Sequence, residues 1–246
     1  MKGGYFILDG VNSEDYNLFI QRTPLIETPS RRVELRNAMG VHGGIPYDEK
    51  AYNNTTMQLL MFIDGNDKIR DREKVDSLLR NKGVFKEFIP YWDPDKIYYI
   101  MNLEKTQYES PSWYGEKQAL QADFTVKPYK YLRNVDDVII SDSSPVTITN
   151  SFTDDVSQPI IKIEATGDVT LTVNGIKHLI QNVDGSVTVN SERYYTYKEL
   201  SSGLLVNQNY KYRQKHYPIL TPGNNTLSVS GDISKITVKP RWRSLV

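Results

Sequence analysis

Phe124-Thr-Val-Lys-Pro-Tyr-Lys-Tyr131, then the Asp- and Ser-rich Asn134 to Ser144, then Pro159-Ile-Ile-Lys-Ile-Glu-Ala-Thr-Gly-Asp-Val-Thr-Leu-Thr-Val173, is the stretch that decides the architecture. The first piece ends a run of strand-forming residues at Pro128, which cannot donate to a sheet ladder. The second carries only the short apolar run Val138-Ile-Ile140 before Pro145, a composition that suits an exposed linker. In the third, apolar and polar residues alternate with period two on either side of Thr166-Gly167-Asp168, which predicts a hairpin with one buried face. The sequence therefore reads as two β units, residues 1–133 and 134–246.

Working outward toward the N-terminus, Tyr5 to Leu8 and Leu18 to Ile20 read as short strands joined by a polar turn. Arg22 to Asn54 holds three prolines and three glycines, and only Arg32-Val-Glu-Leu-Arg36 alternates. A segment of that length with little core of its own is ordered by something else, and a neighbouring subunit is the candidate. Thr55 to Ile63 reads as a strand buried on both faces. Asn66 is placed to cap a helix from Asp67 to Arg80, with Ile69, Val75, Leu78 and Leu79 on one stripe and Gly83 as its stop, lying on a sheet. Trp92-Asp-Pro-Asp95 then turns a hairpin between Val84 to Tyr91 and Lys96 to Glu104.

Toward the C-terminus, short strands alternate with turns such as Asn174-Gly175 and Asp184-Gly185, the pattern of a sandwich. Leu227 to Val229 and Ile233 to Val238 read as two further strands, and Glu199 to Gln214 as a polar, tyrosine-bearing insertion. The fold class is mainly β: an N-terminal β domain (sandwich or split barrel) with one α-helix, and a C-terminal β-sandwich.

Composition narrows the chemistry. The chain has 246 residues, 30 basic against 30 acidic side chains and no cysteine. No net charge draws it to nucleic acid or an anionic membrane, and disulfides, thiolate nucleophiles and cysteine-held metals are excluded. The N-terminal apolar run, Tyr5 to Leu8, is too short for a signal peptide or membrane span, which predicts folding in a cytoplasm. His42, His178 and His216 fall in separate segments without metal-ligand spacing. Asp93 and Asp95 are the paired carboxylates, but Asp-Pro-Asp between strands is what a turn requires. Neither a Gly-x-Ser-x-Gly elbow nor a phosphate-binding glycine motif occurs. Catalytic, metal and cofactor sites are therefore all expected to be absent.

Order and spacing together carry a resemblance. Phe6-Ile-Leu-Asp-Gly10 with Ser13-Glu-Asp-Tyr16, Gly40-Val-His-Gly-Gly44, the single helix, and Tyr91-Trp-Asp-Pro-Asp95 before Tyr98-Tyr99 form the front half. Gln158-Pro-Ile-Ile161, Thr170-Leu-Thr-Val-Asn-Gly175 and Leu220-Thr-Pro-Gly-Asn-Asn225 form the back. Over nearly its whole length the chain resembles the distal tail proteins of siphophages that infect Gram-positive bacteria. The resemblance implies a homohexameric ring formed by the N-terminal domain, a galectin-like C-terminal sandwich, and a hub in the virion tail tip. That hub would join the tail tube protein to a tail-associated (tail fibre or lysin) protein and to a receptor-binding protein, with DNA passing through the lumen unbound. The chain is too short for the carbohydrate-binding module that some relatives insert.

Arg31, Arg32, Leu35 and Tyr47 are the subunit-interface candidates, and Trp113, Tyr114, Tyr210 and Tyr212 the partner-interface candidates. The Arg31-Arg32 and Arg241 to Arg243 clusters read as solvated surface or cross-subunit ion pairs rather than DNA contacts, since tight phosphate binding would impede transit. The alternative function is a carbohydrate-binding adhesion module contacting host polysaccharide; a cell-wall hydrolase ranks third.

Overall fold

The computed structural model describes residues 4–65, 67–80, 82–102, 106–109, 117–142, 144–152 and 155–246. The chain divides into two compact units, residues 1–133 with 245–246, and residues 134–244. It is mainly β with one helix.

In the first unit the strands are β1 (Phe6–Leu8), β2 (Val11–Asn12), β3 (Leu18–Ile20), β4 (Arg31–Arg36), β5 (Ile45–Tyr52), β6 (Thr55–Ile63), β7 (Lys86–Pro90), β8 (Lys96–Asn102), β9 (Gln107–Tyr108), β10 (Gln118–Val126) and β11 (Tyr129–Leu132). The main antiparallel sheet runs β2-β1-β7-β8-β10-β6-β3, and β4 and β5 form a separate ribbon. In β6 the buried residues alternate, so Met57, Leu59, Met61 and Ile63 face the core while Gln58, Leu60 and Phe62 do not. The strand is thus buried on one face, where its nearly continuous apolar run had suggested two. Phe88 centres this core, its ring 5.4 Å from Phe6, 6.0 Å from Trp92 and 6.4 Å from Tyr98.

The helix α1 (Lys68–Leu79) closes that core with Val75, Leu78 and Leu79. Its cap is Asp67, whose carboxylate accepts from the Arg70 N–H at 3.1 Å; the expected cap, Asn66, lies outside the described residues. Ile69 is 78% exposed rather than part of the buried stripe. Asp71 takes the inward position in that first turn, buried and paired with Lys74.

The second unit is built on three long strands, β14 (Ile160–Val173), β15 (Ile176–Asn190) and β18 (Gly223–Lys239), with β12 (Val138–Ile140), β13 (Val146–Asn150), β16 (Tyr195–Glu199) and β17 (Leu205–Asn207) added. The order is β12-β18-β14-β15-β16-β17, with β13 also on β18. The structure departs from the sequence expectations at four places in this unit. Thr166-Gly167-Asp168 is not a hairpin turn: β14 runs through it, keeping β15 and β18 as neighbours on both sides, with a register shift at Gly167. Asp184-Gly185 and the segment around Gly231 are likewise inside β15 and β18. The irregularities lie side by side, since Ala165 pairs with both Gly185 and Ile233, and bulges bend the strands that carry them. The sheet curls along that line, wrapping Ile161, Ile163, Val169, Leu171, Val187, Val229 and Ile236 into one core. At Gly231 a Cβ would sit 2.6 Å from the Asp168 carbonyl oxygen, so only glycine lets the two strands approach there. Finally, Val138 to Ile140 is not free linker but a strand on β18, held by the burial of Ile140.

The last strand, β19 (Arg243–Leu245), leaves the second unit and ends in the first, where the Val246 N–H donates to the Pro128 carbonyl at 3.1 Å.

Candidate assembly surface

The ribbon of β4 and β5 is the feature of the first unit that its own core does not explain. Every residue of β4 is exposed, as is β5 from Ile45 to Lys50. Opposed residues share a face, and Leu35 pairs with Pro46, Glu34 with Tyr47, and Arg36 with Ile45. One face therefore presents Val33, Leu35 and Pro46, and the other Ile45 and Tyr47 beside Glu34 and Arg36. Leu35 is 69% exposed and Met39, in the connecting loop, is fully exposed. An isolated two-stranded hairpin is marginal in water, because neither face buries apolar area.

Polar contacts hold the ribbon together instead. Arg31 sends Nη2 to Asp48 Oδ2 at 2.6 Å and Nη1 to the Tyr52 hydroxyl at 3.2 Å. The Asp48 carboxyl is held below the usual carboxylate range, chiefly by the Arg31 hydrogen bonds and then by the Lys50 N–H. Arg32 Nε donates to Asn53 Oδ1 at 3.1 Å, and its guanidinium approaches Glu49 at 3.7 Å. Arg36 pairs with Glu34 at 2.9 Å and lies 3.9 Å over the Tyr47 ring. At the base, the Asn53 N–H donates to the Ser30 carbonyl and Tyr52 packs edge-on to Tyr129.

The structure thus separates the four interface candidates. Arg31 and Arg32 are engaged within the ribbon, whereas Leu35 presents its side chain to solvent and Tyr47 shares its ring with Arg36 while remaining half exposed. The second set also divides. Trp113 and Tyr114 lie outside the described residues. Tyr210 is 64% exposed, with its hydroxyl on Gln208, and Tyr212 is buried, its hydroxyl 2.7 Å from His178 Nδ1, so a partner protein does not reach it. Exposed apolar residues at Met39, Val41 and Ile45 were missed because they sit among glycines and prolines, where alternation is interrupted.

Asp93 accepts from the Tyr98 hydroxyl at 2.8 Å and from Lys130 at 3.2 Å, which ties the Asp-Pro-Asp turn to β8 of its own hairpin and to β11. Among the described residues no group of three or more His, Asp or Glu side chains is placed to hold a metal. No helix among them is long and apolar enough to cross a membrane.

Neither a protein-family model nor a curated protein matches the chain by sequence. Solved structures match it over nearly its whole length. One is the SPP1 Dit (gp 19.1) protein, described as a paradigm of the hub adsorption apparatus in Gram-positive infecting phages: 15% identity, a TM-score of 0.65, and 96% of this chain on 98% of that one. Another is a chain of the phage P2 baseplate in its activated conformation with Ca, at 9% identity, a TM-score of 0.53 and 97% coverage of both chains. The fold is therefore that of phage tail-hub and baseplate proteins, as the resemblance read from the sequence implies.

Proposed function

We propose that the protein is a structural hub at the distal end of a siphophage tail, closing into a homohexameric ring that joins the tail tube to the tip proteins. The observation that carries this reading is the β4–β5 ribbon, whose two faces expose Val33, Leu35, Ile45 and Tyr47 without a covering element among the described residues. A second copy supplies what such a ribbon lacks, and a head-to-tail contact that repeats by a fixed rotation closes into a ring. The likeness to hub and baseplate chains supports assembly with other tail components; six copies, with the tube, tail-associated and receptor-binding proteins as partners, are what the resemblance read from the sequence implies. In this reading the second unit is the galectin-like domain, DNA passes through the lumen without specific contacts, the protein resides in the virion tail tip after assembly in the host cytoplasm, and it performs no catalysis.

Electron microscopy and light scattering on the purified protein test the reading. The expected result is rings with a mass near six times 28.3 kDa. A strict monomer at all concentrations, in the presence and absence of the tube protein, would overturn it. Turbidity and dye-release assays on purified cell walls are expected to show no turnover.

A further inference from the structure

The second unit contains a cavity of about 340 Å³ that the assembly reading does not use. It falls at the lower end of the roughly 300–1,000 Å³ range of small-molecule sites. Its walls include Tyr194 and Tyr217, whose rings stand 5.5 Å apart at 88°, so they form two sides of a corner. Tyr217 is fixed from behind by stacking on Tyr212 at 4.5 Å. Ile176 and Ile219, both exposed, extend the apolar rim.

The polar groups lie deeper. Ser191 and His178 line the cavity and are 1% and 3% exposed. The Ser191 Oγ is buried and has no hydrogen-bond partner among the described residues, although buried hydroxyls are nearly always paired. The Tyr212 hydroxyl donates to the His216 carbonyl at 2.7 Å, so its contact with His178 Nδ1 at 2.7 Å is one in which the imidazole donates. Burial lowers the His178 pKa, which keeps that ring neutral near pH 7. Gln158 is oriented from outside the cavity, its Oε1 accepting from Arg243 at 2.7 Å and its Nε2 directed at the Tyr194 hydroxyl at 3.4 Å.

No Asp, Glu, Lys or Arg is among the lining residues. A charged ligand would lose its hydration there without a counter-charge, which excludes phosphates, carboxylates and amines. What fits is an uncharged ring with an apolar face for a tyrosine and hydroxyls for the buried Ser191, the Gln158 amide and the imidazole. We propose that this cavity is a binding site for a neutral sugar of hexose size. The site is separate from the ribbon and stands whether or not the chain forms rings.

Saturation-transfer NMR tests this on the full chain with glucose, galactose and N-acetylglucosamine at millimolar concentration, and with N-acetyltyrosinamide as a protein-like probe. At least one sugar is expected to receive saturation. Two variants locate the site without an expected loss of stability. Ser191→Ala removes a buried hydroxyl that has no partner, and Tyr194→Gly relieves a non-glycine residue at φ +49° while deleting one wall. Each is expected to weaken sugar binding roughly fivefold or more, with an unchanged or higher Tm. Transfer to none of the sugars, transfer unaltered in both variants, or transfer to N-acetyltyrosinamide alone would each overturn the proposal.

Discussion

Arg31 and Asp48 face each other across the exposed ribbon in a two-pronged ion pair, Nη2 to Oδ2 at 2.6 Å and Nε to Oδ1 at 3.1 Å. The pair spans a register shift between Arg31 and Val33, where the ladder itself is interrupted. Because the Asp48 pKa is lowered in the folded chain, the pair's contribution is present above the ordinary value of 3.8 and is lost as pH falls through the depressed one. Arg31→Ala is expected to speed amide exchange in β4 and β5 while leaving the exchange of β6 and β10 unchanged. Equal acceleration in all four strands would show that the ribbon is not an independent element.

Replacing Leu35 or Tyr47 with Glu separates assembly from folding. Both side chains are at least half exposed or nearly so, and surface substitutions of this kind shift stability by about 0.5 kcal/mol or less. Each variant is expected to melt like the parent but to lose rings in electron micrographs. Persistent rings in the Leu35→Glu/Tyr47→Glu double variant would remove the ribbon from the interface.

Asn225 is fully buried at the start of β18, and its amide serves a whole corner of the second unit. Oδ1 accepts from Asn174 Nδ2 at 2.8 Å and from the Thr221 N–H at 2.7 Å, while Nδ2 donates to the Thr221 and Gly223 carbonyls at 2.8 and 3.1 Å. Asn225→Ala strands several of these groups away from water, and a loss of about 2–4 kcal/mol is expected in denaturant unfolding. A loss below that measured for Asn174→Ala would contradict the assignment of Asn225 as the centre of the network.

His178 gives the second unit an acid-sensitive step. Its folded pKa lies below 6.5 because burial penalises the imidazolium, so between the two values the unfolded chain binds more protons and stability rises with pH. The contribution is complete above pH 6.5 and is lost as pH falls toward the folded value. The Tm difference between pH 7.5 and pH 5 is expected to be larger for the parent than for His178→Gln. Identical differences would place the acid sensitivity elsewhere.

A fragment of residues 134–244 is expected to melt cooperatively, since β12 to β18 enclose their own core. Removing only Leu245 and Val246 from the full chain is expected to lower the stability of the first unit and not the second, because Val246 packs on the first core and donates to Pro128. Circular dichroism of the fragment and fluorescence melts of the truncated chain check the two halves; a disordered fragment spectrum would refute the division.

The sequence by itself determined the mainly β character, the helix and the poor local core of Arg22 to Asn54, since each depends on local information. Period-two alternation marks Ile160 to Val173 wherever its partners lie, and an acid-rich start with Val75, Leu78 and Leu79 in phase makes a helix of Lys68 to Leu79. Alternation confined to Arg32 to Arg36 between Arg22 and Asn54 marks a segment without its own core. Only the tertiary structure decided that Gly167, Gly185 and Gly231 sit in bends of long strands rather than in turns. A glycine at φ +82°, as at Gly167, suits a turn and a bulge equally, and the choice rests on whether β15 and β18 remain alongside. The same holds for the tyrosines. Tyr210 and Tyr212 are alike in sequence, yet one is solvent-facing and the other is sealed against His178, because burial belongs to the neighbours that folding brings together and not to the residue.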